Sequence, residues 1–169
     1  MHNQFNPSFE WTPSAEWVEK IAKQHEDRLF RAAIAIMGGK ADAEDIVQDV
    51  LIKLFERKSD FESPEHEIAW LTRVTVNLCK NRLRSPWWKR RDPLLDTYPA
   101  QTDEQQDIMQ TVLSLPPKYR LVIHLFYFDG YETKEIAEIT KQKESTVRQQ
   151  LTRARRMLKD FLESEGDSV

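Results

Sequence analysis

Apolar residues recur at three- and four-residue spacing along nearly the whole chain, the period of a helix with one buried face. The first such run holds Trp17, Val18, Ile21, Leu29, Phe30, Ala33, Ile34 and Met37. Gly38-Gly39 ends it by supplying the left-handed conformation that closes many helices. Asp42 is the expected N-cap of the next helix, with Glu44 and Asp45 in its first turn, where carboxylates favour the positive end of the helix dipole. This second helix should reach about Arg57, with Ile46, Val47, Val50, Leu51, Leu54 and Phe55 turned inward. A polar loop from Ser59 to Glu67 follows. A third helix is expected over Trp70 to Arg84, with Trp70, Leu71, Val74 and Leu78 on its core side.

Ser85-Pro86 should stop that helix, and Pro86, Pro93 and Pro99 interrupt regular structure as far as about Thr102. Beyond it, a helix is expected from near Asp103 to about Leu115. Pro116-Pro117 starts another through Lys118 to Phe128. Asp129-Gly130 marks a turn. Thr133 caps a short helix, Lys134 to Thr140, and a last helix runs from about Glu144 to Leu162 with Val147, Leu151, Ala154 and Leu158 inward. Residues 1–13 read as a loose arm and the tail SEGDSV as disordered. No alternation of period two is long enough for a strand. The expected fold is all-α: two small helical domains, 14–84 and 103–163, joined by a flexible linker, 85–102. The second domain contains a helix-turn-helix.

The polar faces carry the chemistry. On the third helix Arg73, Asn77, Lys80 and Arg84 fall at i, i+4, i+7 and i+11, clear of the apolar stripe. On the last helix Arg148, Thr152, Arg155 and Lys159 repeat those offsets. Two such faces in separate segments suggest a protein that grips one nucleic acid at two places. In the helix-turn-helix the last helix would lie in the major groove. Its early residues, Lys143, Glu144, Ser145, Thr146, Arg148 and Gln149, would reach base edges, with Arg suited to guanine and Gln to adenine. Arg153, Arg155 and Arg156 are better placed for phosphates. Near the third helix, Phe61, Trp70 and the Trp87-Trp88 pair beside Lys89-Arg90-Arg91 mix rings with cations, as suits unstacked single-stranded bases. For Trp70 itself, core packing is the favoured reading. The second helix shows Asp45, Gln48, Asp49 and Ile52 on its outer face, an acidic surface with one apolar residue that could dock a partner helix. Each face also has a plainer reading as solvated helix surface.

Charge sharpens this picture. The 169 residues carry a net charge of −3, which argues against a protein that coats DNA indiscriminately. Yet seven Lys and Arg stand against the single Glu144 between Lys141 and Lys159. Local basicity in a mildly acidic chain suggests directed contact with phosphate. The single cysteine, Cys79, excludes an internal disulfide and a multi-cysteine zinc site. The first residues lack the basic start and apolar run of a signal peptide, and no stretch approaches the ~18 apolar residues of a membrane span. The chain reads as cytoplasmic, with no membrane insertion.

No catalytic constellation is evident. His25-Glu26-Asp27 and His66-Glu67 are sequence neighbours, but adjacent helical residues point apart. HExxH is absent, as is a glycine-rich phosphate loop. The expectation is a protein that is not an enzyme and holds no cofactor and no metal.

The stretches GGKADAEDIVQDVLIKLFER, IAWLTRVTVNLCKNRLR, LPPKYRLVIHLFYFDGYETKEIAEIT and STVRQQLTRARRML together resemble the extracytoplasmic-function (ECF) subfamily of bacterial RNA polymerase sigma factors, over about residues 20–162. The resemblance implies two helical domains, region two and region four, joined by a flexible linker. It implies that Asp45, Gln48, Asp49 and Ile52 dock on the clamp coiled coil of the polymerase β′ subunit. Phe61, Arg73, Asn77, Lys80 and Arg84 then belong to the part that opens and reads the minus-ten promoter element. Lys143, Glu144, Ser145, Thr146, Arg148, Gln149, Thr152 and Arg153 belong to the reader of the minus-35 element. The implied partners are core RNA polymerase, through the β′ clamp and the β flap, promoter DNA, and an anti-sigma factor. The helix-turn-helix turn departs from the family's Leu-Gly-Ile-Ser pattern: here it is Thr140-Lys141-Gln142-Lys143. Lys141 stands where Gly would accept a positive φ, at a cost of about 1 kcal/mol.

Two other readings compete. A stand-alone helix-turn-helix regulator, whose first module dimerises or senses a ligand, would bind duplex DNA tightly without polymerase. A small metal-dependent hydrolase using His25, Glu26 or His66 would need those groups to converge on a metal.

Overall fold

In a computed structural model, residues 11–90 and 103–166 are described, with side chains over 11–90 and 108–164. The bulk of the expected arm, most of the linker and the last three tail residues lie outside the described residues. Within them every regular element is helical.

Three long helices make the first group: α1 (Ala15–Met37), α2 (Lys40–Phe55) and α3 (Pro64–Arg84). Ser14 caps α1 by accepting the Trp17 amide at 3.1 Å, so the helix begins two residues before the first apolar position. Trp11, expected in the loose arm, packs its ring edge-on against Trp17 at 5.1 Å. Gly38 closes α1 at φ 81°, as its position in the sequence suggests.

Gly39, not Asp42, is the N-cap of α2. Asp42 is already in the first turn and buried, where its carboxylate faces Arg82 of α3. Phe55 is half-exposed rather than inward, because Leu54 takes the core position at the helix end. The helix α3 starts at Pro64, well before Trp70. Ser63 accepts the His66 amide and Pro64 sits at the first turn, where a missing N–H costs nothing. Its deepest face is Leu71, Thr72, Thr75, Val76 and Cys79; Trp70, Val74 and Leu78 flank it at half burial. After Arg84, Ser85 caps a single turn, α4 (Pro86–Lys89), inside the expected linker.

The second group is α5 (Asp103–Leu113), α6 (Pro117–Ile123), α7 (Thr133–Thr140) and α8 (Glu144–Gly166). The helix α6 widens into a π-helical turn, His124–Phe128, which Asp129 ends by donating its amide to the His124 carbonyl. Glu132, not Thr133, caps α7, in a reciprocal box with Glu135. The helix α8 buries Val147, Leu151 and Ala154 and runs four residues past Leu162, into the expected disordered tail.

The two groups share one continuous hydrophobic core, with α1 against α6 and α3 against α7. Four polar ties reinforce the junction. The Arg120 guanidinium donates to the Ile36 carbonyl at 2.6 Å, and Lys80 Nζ to the Thr140 carbonyl at 2.5 Å. Thr72 and Tyr131 share a hydroxyl–hydroxyl bond of 3.1 Å, and Arg28 lies 3.4 Å from Asp129.

Candidate nucleic-acid interface

In the helix-turn-helix, α7 and α8 pack through buried Ile136, Val147 and Leu151, and one carboxylate bridges them as well. Glu144, at the start of α8, accepts the Thr133 hydroxyl at 2.7 Å and so ties the two helices together. The same oxygen accepts Arg148 Nη2 at 2.7 Å and Nε at 3.3 Å. Thr133 first, and Arg148 next, hold the Glu144 carboxyl below the usual carboxylate range. Lys141 takes φ 55°, the left-handed turn geometry anticipated at that position. The Gln142 amide completes the turn by donating to the Ala137 carbonyl at 2.9 Å. Gln142 is half-buried where an apolar residue would pack, and its side-chain oxygen has no protein partner.

The structure brings Lys143, Ser145, Arg148, Gln149, Thr152 and Arg153 together on the solvent side of α7–α8; Glu144 and Thr146 are partly covered. The Thr152 hydroxyl bonds back to the Arg148 carbonyl. Arg155 is held by Tyr127, whose hydroxyl accepts its Nε at 2.7 Å.

The α3 stripe is less uniform. Arg73 and Arg84 are exposed, Asn77 and Lys80 only partly. Lys80 spends its ammonium on the last carbonyl of α7. Burial first, then the nearby charges of Arg84 and Lys141, lower its pKa. Phe61 is not a free platform. Trp17 stacks on it at 5.7 Å, Trp70 and His66 meet it edge-on, and the Arg57 guanidinium stands 3.9 Å from its ring centre. Asp60 anchors this loop by accepting both the Trp17 indole N–H and the Phe61 amide.

On α2, Asp45, Gln48 and Ile52 are exposed and Asp49 partly so, but both aspartates are also engaged by Arg82 of α3. Arg82 reaches Asp45 at 3.0 Å, Asp49 at 3.6 Å and buried Asp42 at 3.7 Å. The four outer-face residues do lie on one surface, but its charge is partly neutralised.

Residues 21–89 match the family described as Sigma-70 region 2, and residues 105–158 the one described as Sigma-70, region 4. A relative, the ECF RNA polymerase sigma factor SigE of Mycolicibacterium smegmatis, is 31% identical over 157 residues, 85% of this chain. The chain belongs to the ECF sigma factors. It spans 61% of the length of SigE. SigW of Bacillus subtilis is 28% identical, over 84% of this sigma factor and 87% of its own length. In fold, the sigma factor is similar to the RpoE sigma factor solved with the anti-sigma factor NepR from Bartonella quintana. The TM-score is 0.68 at 23% identity, over 86% of this chain and 96% of that one. CnrH, solved with the cytosolic domain of CnrY, gives 0.60 at 22% identity, over 89% and 90%.

Among the described residues, no helix of this sigma factor is long and apolar enough to cross a membrane. The residues of the hydrolase reading do not converge. His25 Nε2 bonds Glu67 of α3 at 2.6 Å, and His66 Nδ1 accepts the Glu62 amide. Sequence reasoning missed Arg82, Arg57 and Trp17. The one local sign of Arg82 is its place three residues after buried Cys79, on the rim of the same helix face.

Proposed function

We propose that this ECF sigma factor binds core RNA polymerase, carries it to promoters through a minus-35 and a minus-ten element, and traps the opened strand. Residues 14–84 are the region-two domain, 85–102 the linker and 103–163 the region-four domain. The observation that carries this is the exposed row Arg148, Gln149, Thr152 and Arg153 on a helix-turn-helix, in a chain that also bears a region-two match.

In this reading the α2 surface around Gln48 and Ile52 meets the β′ clamp. The groove lined by Ile108, Val112, Ile123, Tyr127, Leu158 and Leu162 takes the apolar face of the β flap. Arg73, Asn77, Lys80 and Arg84, with the Phe61 loop, hold the minus-ten strand. An anti-sigma factor, expected from the family, completes the partners. No step is chemical: the protein offsets melting, ~1.4 kcal/mol per stacked step, by binding what melting exposes.

The two elements lie some 25 base pairs apart, about 85 Å at ~3.4 Å per pair. Lys80 and the Thr140 turn, assigned to different elements, are in hydrogen-bond contact. The two groups of helices must therefore separate on the promoter. The test is reconstitution with core polymerase. Promoter-dependent transcription that needs both elements is expected. Tight duplex binding by the chain alone, with no affinity for core polymerase, would instead favour a stand-alone regulator.

A further inference from the structure

We propose that Glu144 is a positioning residue that sets promoter specificity by presenting one edge of the Arg148 guanidinium to a base. This rests on the minus-35 reading above and adds how selectivity is produced there.

A guanidinium has five N–H donors in one plane, grouped along distinct edges. Glu144 occupies the side edge, because a single oxygen accepts both Nε and Nη2. The end edge, formed by Nη1–H and the second Nη2–H, has no hydrogen-bond partner among the described residues. Two parallel donors are what guanine O6 and N7 require. The carboxylate is itself fixed, since the same oxygen accepts the Thr133 hydroxyl from α7. Arg148 is therefore steered from both sides of the turn, although its side chain is 68% exposed. Without Glu144, an exposed Arg explores many rotamers and finds the nearest phosphate as readily as a base. The carboxylate also repels phosphate, which discourages the sequence-blind contact.

Holoenzyme made with full-length Glu144→Ala should be compared with wild type, Arg148→Ala, the double variant and Thr133→Val. Binding to a minus-35 duplex library is measured at several salt concentrations. Arg148→Ala should flatten a preference of about tenfold at one base position. Glu144→Ala should flatten that same position without loss of total affinity and steepen the salt dependence by about one ion. The double variant should be no flatter than Arg148→Ala. Thr133→Val, which keeps the Glu144–Arg148 contact but loosens the carboxylate, should flatten the preference only in part.

Glu144→Ala with an intact preference would overturn the proposal. So would a uniform loss across all sequences, or equal flattening by Thr133→Val, either of which makes Glu144 a strut between helices. Loss at a new position, additive with Arg148→Ala, would make Glu144 a base reader in its own right. If Arg148→Ala flattens no position, the minus-35 reading itself fails and this proposal with it.

Discussion

The Arg120 guanidinium donates through Nη2 to the Ile36 carbonyl at 2.6 Å, joining residues 84 positions apart. Its Nη1 donates to the Leu113 and Leu115 carbonyls at 3.1 and 3.2 Å. Arg120 is 3% exposed. Its hydrogen-bond partners are carbonyls at the ends of α1 and α5, where the helix dipole is negative. Burial pushes its pKa down to about 10, so it stays charged at neutral pH.

Arg120→Ala removes donors from three buried carbonyls. A loss of about 3 kcal/mol is expected, or roughly 6 to 12 °C in Tm for a chain of this size. Arg120→Lys keeps the charge without the fork and should fall between. A thermal melt followed by circular dichroism measures this; a change of under about 2 °C in Arg120→Ala would mean the junction does not depend on it.

Polymerase docking is better probed at Ile52 than at the acidic residues around it. Asp49→Arg would set a cation against Arg82 and disturb the α2–α3 contact as well as the surface. Ile52 is 54% exposed, and the expected docking contact buries it. Ile52→Glu should weaken holoenzyme formation by about 1 to 1.5 kcal/mol, roughly tenfold in Kd, with helicity unchanged. Unaltered affinity for core polymerase moves the docking site elsewhere.

Lys80 is held by Thr140 in the packed chain, yet it shares the α3 stripe assigned to the minus-ten strand. The two roles exclude each other. Lys80→Ala should leave oligonucleotide binding by the free chain nearly unchanged. In the holoenzyme it should reduce binding to single-stranded minus-ten oligonucleotide and flatten the salt dependence by about one ion. An equal loss in the free chain would show that the contact with Thr140 does not restrain Lys80.

What the sequence made legible is what repeats locally. Val147, Leu151 and Ala154 announce the buried side of α8, Gly38 announces the end of α1, and Lys141 announces a strained turn. Caps were harder: Ser63-Pro64 is a better start than anything near Trp70, but the polar loop around it hides the signal. Ties between distant residues left almost no trace. Arg82 reads as one more cation beside Arg84, and Arg120 as a polar residue in an apolar helix. Only packing shows that the first draws three carboxylates together and the second joins both groups. The α8 row was found because solvent exposure follows helical period. The covered state of Lys80 and Phe61 was not, because it depends on neighbours brought in by the fold.

His124 gives stability a pH dependence. It is buried, stacked on Phe128 at 5.6 Å, with Asp129 3.6 Å from Nε2 and Asp27, Arg28 and Arg31 around the same crevice. Burial lowers its pKa; Asp129 opposes this and Arg28 adds to it. The unfolded imidazole takes a proton near pH ~6.5, the folded one only at lower pH. Between those points the unfolded chain binds more protons, so stability rises with pH and is lost on acidification below about 6.5. His124→Phe should melt with a shallower pH dependence between about pH 7 and 5. The same slope in both proteins would assign the effect to other groups.

Lys141 holds φ 55° and ψ 44° at the C-cap of α7, a conformation in which an L side chain crowds its own carbonyl. Its amide donates to Glu138, and the next amide, Gln142, to Ala137, so the turn is fixed by the helix end rather than by the side chain. The Lys141 side chain is exposed, and its charge is among those that lower the pKa of Lys80. Lys141→Gly removes both the crowding and the charge. Glycine also frees the unfolded chain, which takes back part of the gain. A net gain of about 0.5 to 1 kcal/mol is expected, or roughly 1 to 4 °C in Tm. Lys141→Ala keeps the Cβ and should stabilise little, which separates backbone relief from loss of charge. If alanine and glycine raise Tm equally, charge repulsion with Lys80 accounts for the effect and the left-handed turn is not strained.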